Sequence, residues 1–284
     1  VLYPEGTGTD KFDSGKYNAG LKFDGTDDMI LTKGGPKDSL VGLWILNEGT
    51  GTTAKDKSGS GTAYDGTLTN SDMWLADRGP YGGPCIDFDG TDDHIPLPTA
   101  VNSYFTGGNS FTISVWVYST YTSGNGSRTI FSNRHSTNNA GFTLFAPSFD
   151  RSVNKASVNF REHSSEMLTS SDSIETDKWF HITYTHKTNE QTIYINGVQN
   201  VQETNSRSFT NTPGTPQIGR ERETYYFDGK ISDARIYNRA LTATEIYDIY
   251  SHPIKKSLYN DFSISTWVKF DNNNNSEGVL SLYD

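Results

Sequence analysis

Leu21–Ile30 (LKFDGTDDMI) and Cys85–Ile95 (CIDFDGTDDHI) are one phrase written twice, and the segment that comes after each copy decides the architecture. After the second copy comes Phe111–Tyr118 (FTISVWVY); the only other segment of that kind is Phe262–Phe270 (FSISTWVKF), near the far end. Asp93 stands 18 positions before Phe111, whereas Asp28 stands 234 before Phe262. Removing Leu40–Pro253, 214 residues, reduces the second spacing to 20, so the two agree once a complete inner domain is lifted out of an outer one. The expected organisation is residues 1–39 as the first part of an outer domain, 40–253 as an inserted complete domain, and 254–284 as the outer domain's truncated continuation. Against the inner copy the outer one lacks about 100 residues, and its remaining strands are expected from a longer protein or from another chain.

The inner copy shows the strand pattern in most detail. Phe111–Tyr118 alternates between two sets of side chains, the period of a strand with one face on a core. Comparable runs recur at Leu40–Gly49, Arg128–Ser132, Gly141–Phe145, Ala156–Arg161, Trp179–Lys187, Gln191–Ile195, Gln217–Gly219 and Lys230–Tyr237, with Gly66–Leu68 as a short edge. That is the spacing of a sandwich. Of 284 residues 13% are aromatic and 27 are Gly, which with many Thr, Ser and Asn fits an all-β chain with polar turns. Asn196–Gly197, after the run TIYI, predicts a type I′ hairpin into Val198–Val201. Leu241–Tyr250 (LTATEIYDIY) reads as a short helix, with Thr242 as N-cap and Glu245 three residues on completing a capping box. Trp44, Trp116, Trp179 and Trp267 fall within strands and are expected in the inter-sheet core rather than on a ligand face.

Acidic residues number 34 and basic ones 24, a net charge of −10, and the basic residues are scattered. Phosphate backbones and anionic bilayers are repelled by such a surface, so nucleic acid is excluded as a partner. No apolar run approaches about 18 residues, which argues against membrane insertion. The single Cys85 cannot build a disulfide framework or a zinc site of several thiolates, and is expected to be buried. Divalent cations are the natural partners of converging carboxylates and carbonyls, and calcium is the metal expected.

Seven segments occur in order over some 210 residues: LWILNEGTGTTAKDKSG from Leu43, DGTL from Asp65, FDGTDDHI from Phe88, FTISVWV from Phe111, WFHITYT from Trp179, IYINGV from Ile193, and FDGKISDARIYNRALTATEI from Phe227. Together they resemble the laminin-G-like jelly-roll domains of the concanavalin A-like lectin and glucanase superfamily. The resemblance implies an all-β jelly-roll sandwich, complete in the inner copy and incomplete in the outer. It also implies that the opening loop and the final FDG segment lie close together with a metal bridging them, which makes Asp56 and Asp228 calcium ligands with Ser58 in the same turn. The alternative is that both aspartates only cap turns. Asp92 and Asp93 form a second acidic pair, of which Asp93 is the further metal candidate, and Asp27 and Asp28 are their outer counterparts.

Sugar binding in such sandwiches needs aromatic faces for the ring and polar forks for the hydroxyls. Trp74, Tyr121, Arg134, Tyr225 and Tyr226 are the candidates outside the expected core. The glycanases of the resembled superfamily carry Glu-x-Asp-x-x-Glu on one strand; the nearest string here, Glu175–Thr176–Asp177, lacks the third carboxylate. The six His residues show no metal spacing, and His181 and His186, five apart on one strand, face opposite sides. No Ser/His/Asp arrangement or phosphate loop is legible. The expectation is a non-catalytic, extracellular, cell-surface or virion-surface module that recognises glycans or cell-surface polysaccharide with calcium. Two alternatives stand beside it: a structural decoration of a capsid, tail fibre or surface layer that contacts other subunits without sugar, and an accessory module of a larger glycosidase.

Overall fold

The computed structural model describes residues 2–4, 12–13, 20–21, 30–32 and 35–251, apart from 77, 81, 121–127, 136–139, 147–154, 161–165, 206–208, 210–211 and 223–224. The chain divides into two compact units: Gly34–Lys255, and Val1–Lys33 with Lys256–Asp284. In the second of these, four short strands are described: β1 (Leu2–Pro4), β2 (Phe12–Asp13), β3 (Gly20–Leu21) and β4 (Ile30–Thr32). β1 pairs antiparallel with β4, and β2 with β3. Most of the first repeated phrase, together with Asp27, Asp28, Phe262–Phe270 and Trp267, lies outside the described residues.

The larger unit opens with β5 (Leu40–Trp44), the short ladder of β6 (Thr53–Ala54) and β7 (Gly66–Thr67), then β8 (Trp74–Leu75), β9 (Cys85–Asp89) and β10 (Ile95–Pro96). The middle of the chain forms β11 (Phe111–Ser119), β12 (Thr129–Ser132), β13 (Phe142–Phe145), β14 (Lys155–Phe160) and β15 (Glu166–Ser173). Then come β16 (Trp179–Lys187), β17 (Glu190–Ile195), β18 (Val198–Glu203), β19 (Gln217–Ile218), β20 (Arg220–Glu221), β21 (Tyr225–Tyr226), β22 (Asp228–Tyr237) and the helix α1 (Ala243–Ser251). One sheet has the order β18-β17-β16-β11-β22-β9-β8, with β5 also on β22; the other runs β10-β19-β12-β13-β14-β15. Non-sequential neighbours such as β11 between β16 and β22 are the crossovers of a jelly roll. No helix among the described residues is long and apolar enough to cross a membrane.

The period-two pattern explains how the sheets face each other. In β11 the odd positions Phe111, Ile113, Val115 and Val117 enter the core, where they meet Phe142, Leu144, Val158 and Phe160 from the other sheet. Each such side chain taken wholly out of water contributes about 2 kcal/mol. The even positions Thr112, Ser114, Trp116 and Tyr118 therefore point away from the core. Cys85 is buried at the core edge, and desolvation pushes its thiol up to about 12, so it is an inert packing group.

Local chemistry closes the turns as the sequence predicts. Asn196 and Gly197 both have positive φ, 50° and 78°, the type I′ geometry that joins β17 to β18. At the start of α1, the Glu245 N–H donates to Thr242 Oγ1 (3.3 Å) and the Thr242 N–H donates to Glu245 Oε2 (2.8 Å), a reciprocal capping box. Arg239 adds a two-armed ion pair to Glu245 and, with the capping donors, holds that carboxyl at about 2. Ile246 and Ile249 of α1 pack with Leu43, Tyr194 and Tyr237 in a second, smaller core on the outer face of the eight-stranded sheet.

The tryptophans divide differently from the expectation. Trp44 is in the inter-sheet core. Trp116 faces outward and is covered instead by α1, its ring stacked on Tyr250 at 5.7 Å. Trp179, opposite Tyr118 in the register, is only half-buried on that same outer face. The reason is parity: an aromatic at an even position of β11, or paired with one, belongs to the face that the core does not use.

Candidate functional site

The acidic turn between β9 and β10 forms because Asp89 Oδ1 accepts the N–H groups of Thr91 (2.8 Å) and Asp92 (3.2 Å), an Asx turn that reverses the chain. Gly90 is required there: its φ is 75°, and a Cβ would stand 3.0 Å from that of Asp228. Asp228 lies directly opposite Asp89 in the β22–β9 register and accepts from the Thr120 hydroxyl at 2.6 Å. Asp93 folds back, with Oδ2 accepting from the Asp89 N–H (3.0 Å) and Oδ1 from the Asn70 amide (2.7 Å), while Asn70 also donates to Asp92 Oδ1 (2.9 Å).

Asp89, Asp92 and Asp93 thereby bring three carboxylate oxygens within 4.8 Å of one another, two of the residues exposed and Asp93 buried. The protonation equilibria of Asp89 and Asp93 separate. Burial raises Asp93 above the usual carboxylate range, against the Asn70 and Asp89 donors; burial also opposes ionisation of Asp89, but the N–H groups of its turn outweigh it and hold the carboxyl low. Asp87, two residues back on β9, is raised by burial and by the charges of Asp228, Asp93 and Asp89, with Lys230 acting the other way.

Beside this turn stands the β20–β21 hairpin. Tyr226 is half-buried and meets the His94 ring edge-on at 6.0 Å, and the Arg220 guanidinium lies 5.8 Å from the Tyr226 centroid. Arg220 is held by Gln217, to which its Nε donates at 2.6 Å. His94 Nδ1 sits 2.8 Å from the Asp92 carbonyl, which ties the aromatic pair to the acidic turn. Burial lowers the His94 pKa, with Arg220 acting in the same direction. Glu221, next in the hairpin and opposite Tyr225, forms an ion pair with Arg134 in which both side chains are buried.

The candidates thus separate into groups. Asp93, Asp228, Tyr225, Tyr226 and Arg134 converge on this end of the sandwich, directly or through Glu221. Arg134 is consumed by its buried ion pair and serves the hairpin's position rather than a ligand. Asp56 is placed otherwise: its Oδ1 accepts the N–H groups of Leu43 and Ser58, both at 2.9 Å, and its Oδ2 that of Tyr64 at 3.0 Å. It shares no described partner with Asp228, and Ser58 Oγ bonds to Ser60. Asp56 and Ser58 therefore close a turn through their acceptors, the role that the turn-capping alternative gives them. Trp74 packs on the core with its indole N–H on the Gly51 carbonyl (2.7 Å), and Tyr121 lies outside the described residues.

Asn70 and Arg220 join the site although no local pattern in the sequence marks them as members, whereas Asp89 and His94 stand within FDGTDDHI beside the candidate Asp93. Asn70 and Asp92 are 22 positions apart, and only the fold brings them into contact.

One further arrangement resembles catalytic machinery. Ser114 Oγ and His181 Nε2 are 2.7 Å apart on adjacent strands. Both are completely buried, and the neighbouring Asp233 is held by Arg235 through two bonds of 2.6 Å rather than by the imidazole. No substrate reaches that hydroxyl, so the pair is structural.

Two antiparallel sheets around one core, with crossovers between them and polar loops at the ends, define a jelly-roll β-sandwich. A laminin-G-type family model, described as the concanavalin A-like lectin/glucanases superfamily, matches residues 89–247, more than half the chain, and the chain belongs to that family. No curated protein matches it. Among solved structures, domain 4 of AbnA, a GH43 extracellular arabinanase from Geobacillus stearothermophilus in complex with arabinotriose, is 20% identical; the match covers 75% of this chain and 98% of that one with a TM-score of 0.57. A mutant Trypanosoma rangeli sialidase with trans-sialidase activity is 16% identical, covered over 33% of its length and 76% of this chain, TM-score 0.55. Botulinum neurotoxin type C, whose cell entry depends on two ganglioside molecules, is 17% identical, covered over 51% of its length and 76% of this chain, TM-score 0.53.

Proposed function

We propose that this protein is a non-catalytic extracellular module that recognises carbohydrate, the unit Gly34–Lys255 being inserted into a second, related sandwich. The observation that carries the reading is the convergence of the Asp89–Asp93 turn with Tyr226, His94 and Arg220. Rings there offer faces for the apolar side of a sugar, while exposed carboxylates and a guanidinium offer acceptors and donors for its hydroxyls. The missing glycanase strand pattern and the inaccessible Ser114–His181 pair argue against hydrolysis. The folds of an arabinanase domain and of toxin chains that engage gangliosides are compatible with this role.

Calcium belongs to the proposal at the acidic turn rather than at Asp56. Asp89, Asp92 and Asp93 supply hard oxygen donors, and carbonyls of the turn with water would complete the six to eight oxygens that calcium requires. Such an ion would fix the turn against Tyr226 and lend the site a Lewis-acidic contact for vicinal hydroxyls.

A glycan array probed with the full 284-residue chain, in calcium and again in chelator, tests this reading. Binding that depends on calcium and is lost in Asp93→Asn supports it. Silence in both conditions from a folded chain refutes it and favours decoration of a larger surface assembly. An accessory role beside a glycosidase has its own support: the arabinanase neighbour is matched over 98% of a domain taken from a larger enzyme. Retention on polysaccharide without turnover fits both forms of the recognition reading.

A further inference from the structure

The outer face of the eight-stranded sheet is divided by α1. Where the helix crosses, Tyr250 covers Trp116 and His181. Toward the opposite end of β11 the strand register aligns Trp179 with Tyr118, Tyr118 with Lys230, and Lys230 with Asp87, a row across β16, β11, β22 and β9. All four residues are partly exposed. The Trp179 and Tyr118 centroids are 5.7 Å apart with the rings inclined at 59°, so they form an open V rather than a closed stack. Trp179 is oriented by its indole N–H, which donates to the Arg78 carbonyl at 3.2 Å. The Lys230 ammonium lies over the Tyr118 ring, 4.3 Å from its centroid, and covers one face of it; the same ammonium is 3.9 Å from Asp87 Oδ1, and the Tyr118 hydroxyl is 3.5 Å from Asp177.

We propose that this row is a second carbohydrate-contact surface, on which Trp179 and Tyr118 take the C–H face of a neutral sugar while Lys230, Asp87 and Asp177 bond its hydroxyls. The proposal rests on the glycan reading above, but neither on calcium nor on the β20–β21 hairpin. A lipid or apolar peptide would strip water from Lys230 and Asp87 and return nothing to them. A sugar ring matches both halves of the row, because it carries an apolar face and a rim of donors and acceptors. Both signs of charge occur along the row, which suits a neutral glycan better than a strongly ionic one. Position supports extended binding: Asp87 and Asp89 point to the same side of β9, about 7 Å apart, so the row runs into the acidic turn.

Affinity electrophoresis of the full chain through gels containing arabinan, xylan or soluble glucan, with a glycan array in parallel, tests it. Wild type, the double variant Trp179→Ala/Tyr118→Ala, and Tyr226→Ala are compared in calcium and in chelator, each with its melting curve. The expected result is a loss of tenfold or more in the double variant, of the same size in calcium and in chelator, with a melting temperature close to wild type. Lys230→Ala, which leaves both rings in place, is expected to lose about threefold. Unchanged binding by a folded double variant, with loss in Tyr226→Ala, overturns the row and leaves the acidic-turn site standing. Failure of the wild type to bind any glycan overturns both.

Discussion

His181 makes the stability of this protein depend on pH in a window that can be calculated. Its imidazole is wholly buried, 2.7 Å from Ser114 Oγ and 5.1 Å from the Trp116 ring, with Tyr250 of α1 at 6.0 Å. Desolvation, and then the Arg235 guanidinium, push its pKa from 6.5 down to about 3. Above pH 6.5 the ring is neutral whether the chain is folded or unfolded, and the group leaves stability unchanged. As pH falls below 6.5 the unfolded chain takes up a proton that the folded chain refuses, so stability is lost down to about pH 3. At 1.36 kcal/mol per pH unit the loss is about 2 kcal/mol at pH 5. That is a large fraction of the about 5–15 kcal/mol of a typical domain. The assay is urea unfolding followed by tryptophan fluorescence at pH 7.5, 6 and 5, comparing wild type with His181→Gln, which keeps a polar group for Ser114 but cannot titrate. The difference between the two slopes isolates His181 from His94, which is also lowered, and from the carboxylates. Parallel slopes for the two proteins, or an imidazole that titrates near 6.5 in the folded state, would refute the reasoning.

Two other substitutions separate scaffold from site. Glu221→Ala strands the buried Arg134 guanidinium without its carboxylate and should cost about 3 kcal/mol, whereas Arg134→Met with Glu221→Leu should recover most of that loss; urea midpoints measure both. Asp56→Ala removes the acceptor of three backbone N–H groups and should cost about 2–4 kcal/mol equally in calcium and in chelator. A calcium-dependent rise in melting temperature that disappears only in Asp56→Ala would instead make Asp56 a ligand.

Legibility in the sequence depends on the range of the interactions involved. The I′ turn at Asn196–Gly197 and the Thr242–Glu245 box are chemistry between residues at most three apart, and both form as predicted. Strand β15 (EMLTSSDS) is not legible, because its polar side chains hide the alternation; Leu168 and Ser170 nevertheless alternate inward, and Asn200 of β18 fastens its edge by accepting from the Ser171 N–H and donating to Asp172. Arg134 reads as an exposed fork because its partner is 87 positions away. Trp179 reads as core because a tryptophan in an apolar strand ordinarily is. Its pairing with Tyr118 fixes its face, and that pairing is a property of the sheet rather than of either strand.

The helix explains why the chemistry gathers where it does. α1 is anchored by its capping box and by Ile246 and Ile249, and two glycines allow its close approach: a Cβ on Gly35 would meet Ile249 at 2.4 Å, and one on Gly197 would meet Tyr250 at 2.9 Å. So fixed, the helix lays Tyr250 over Trp116 and His181, which with the equally buried Ser114 and Arg235 form a polar layer closed to water. Two residues beyond Trp116 on β11 that cover no longer buries the outer face, and Tyr118, Trp179 and Lys230 remain partly in solvent. Both proposed binding surfaces therefore lie toward the end of the sheet beyond the Tyr250 contact, where β9 and β22 also deliver Asp89 and Asp228. A longer α1 extending over Tyr118 would stabilise the sandwich by burying more apolar area, at the direct expense of the aromatic row.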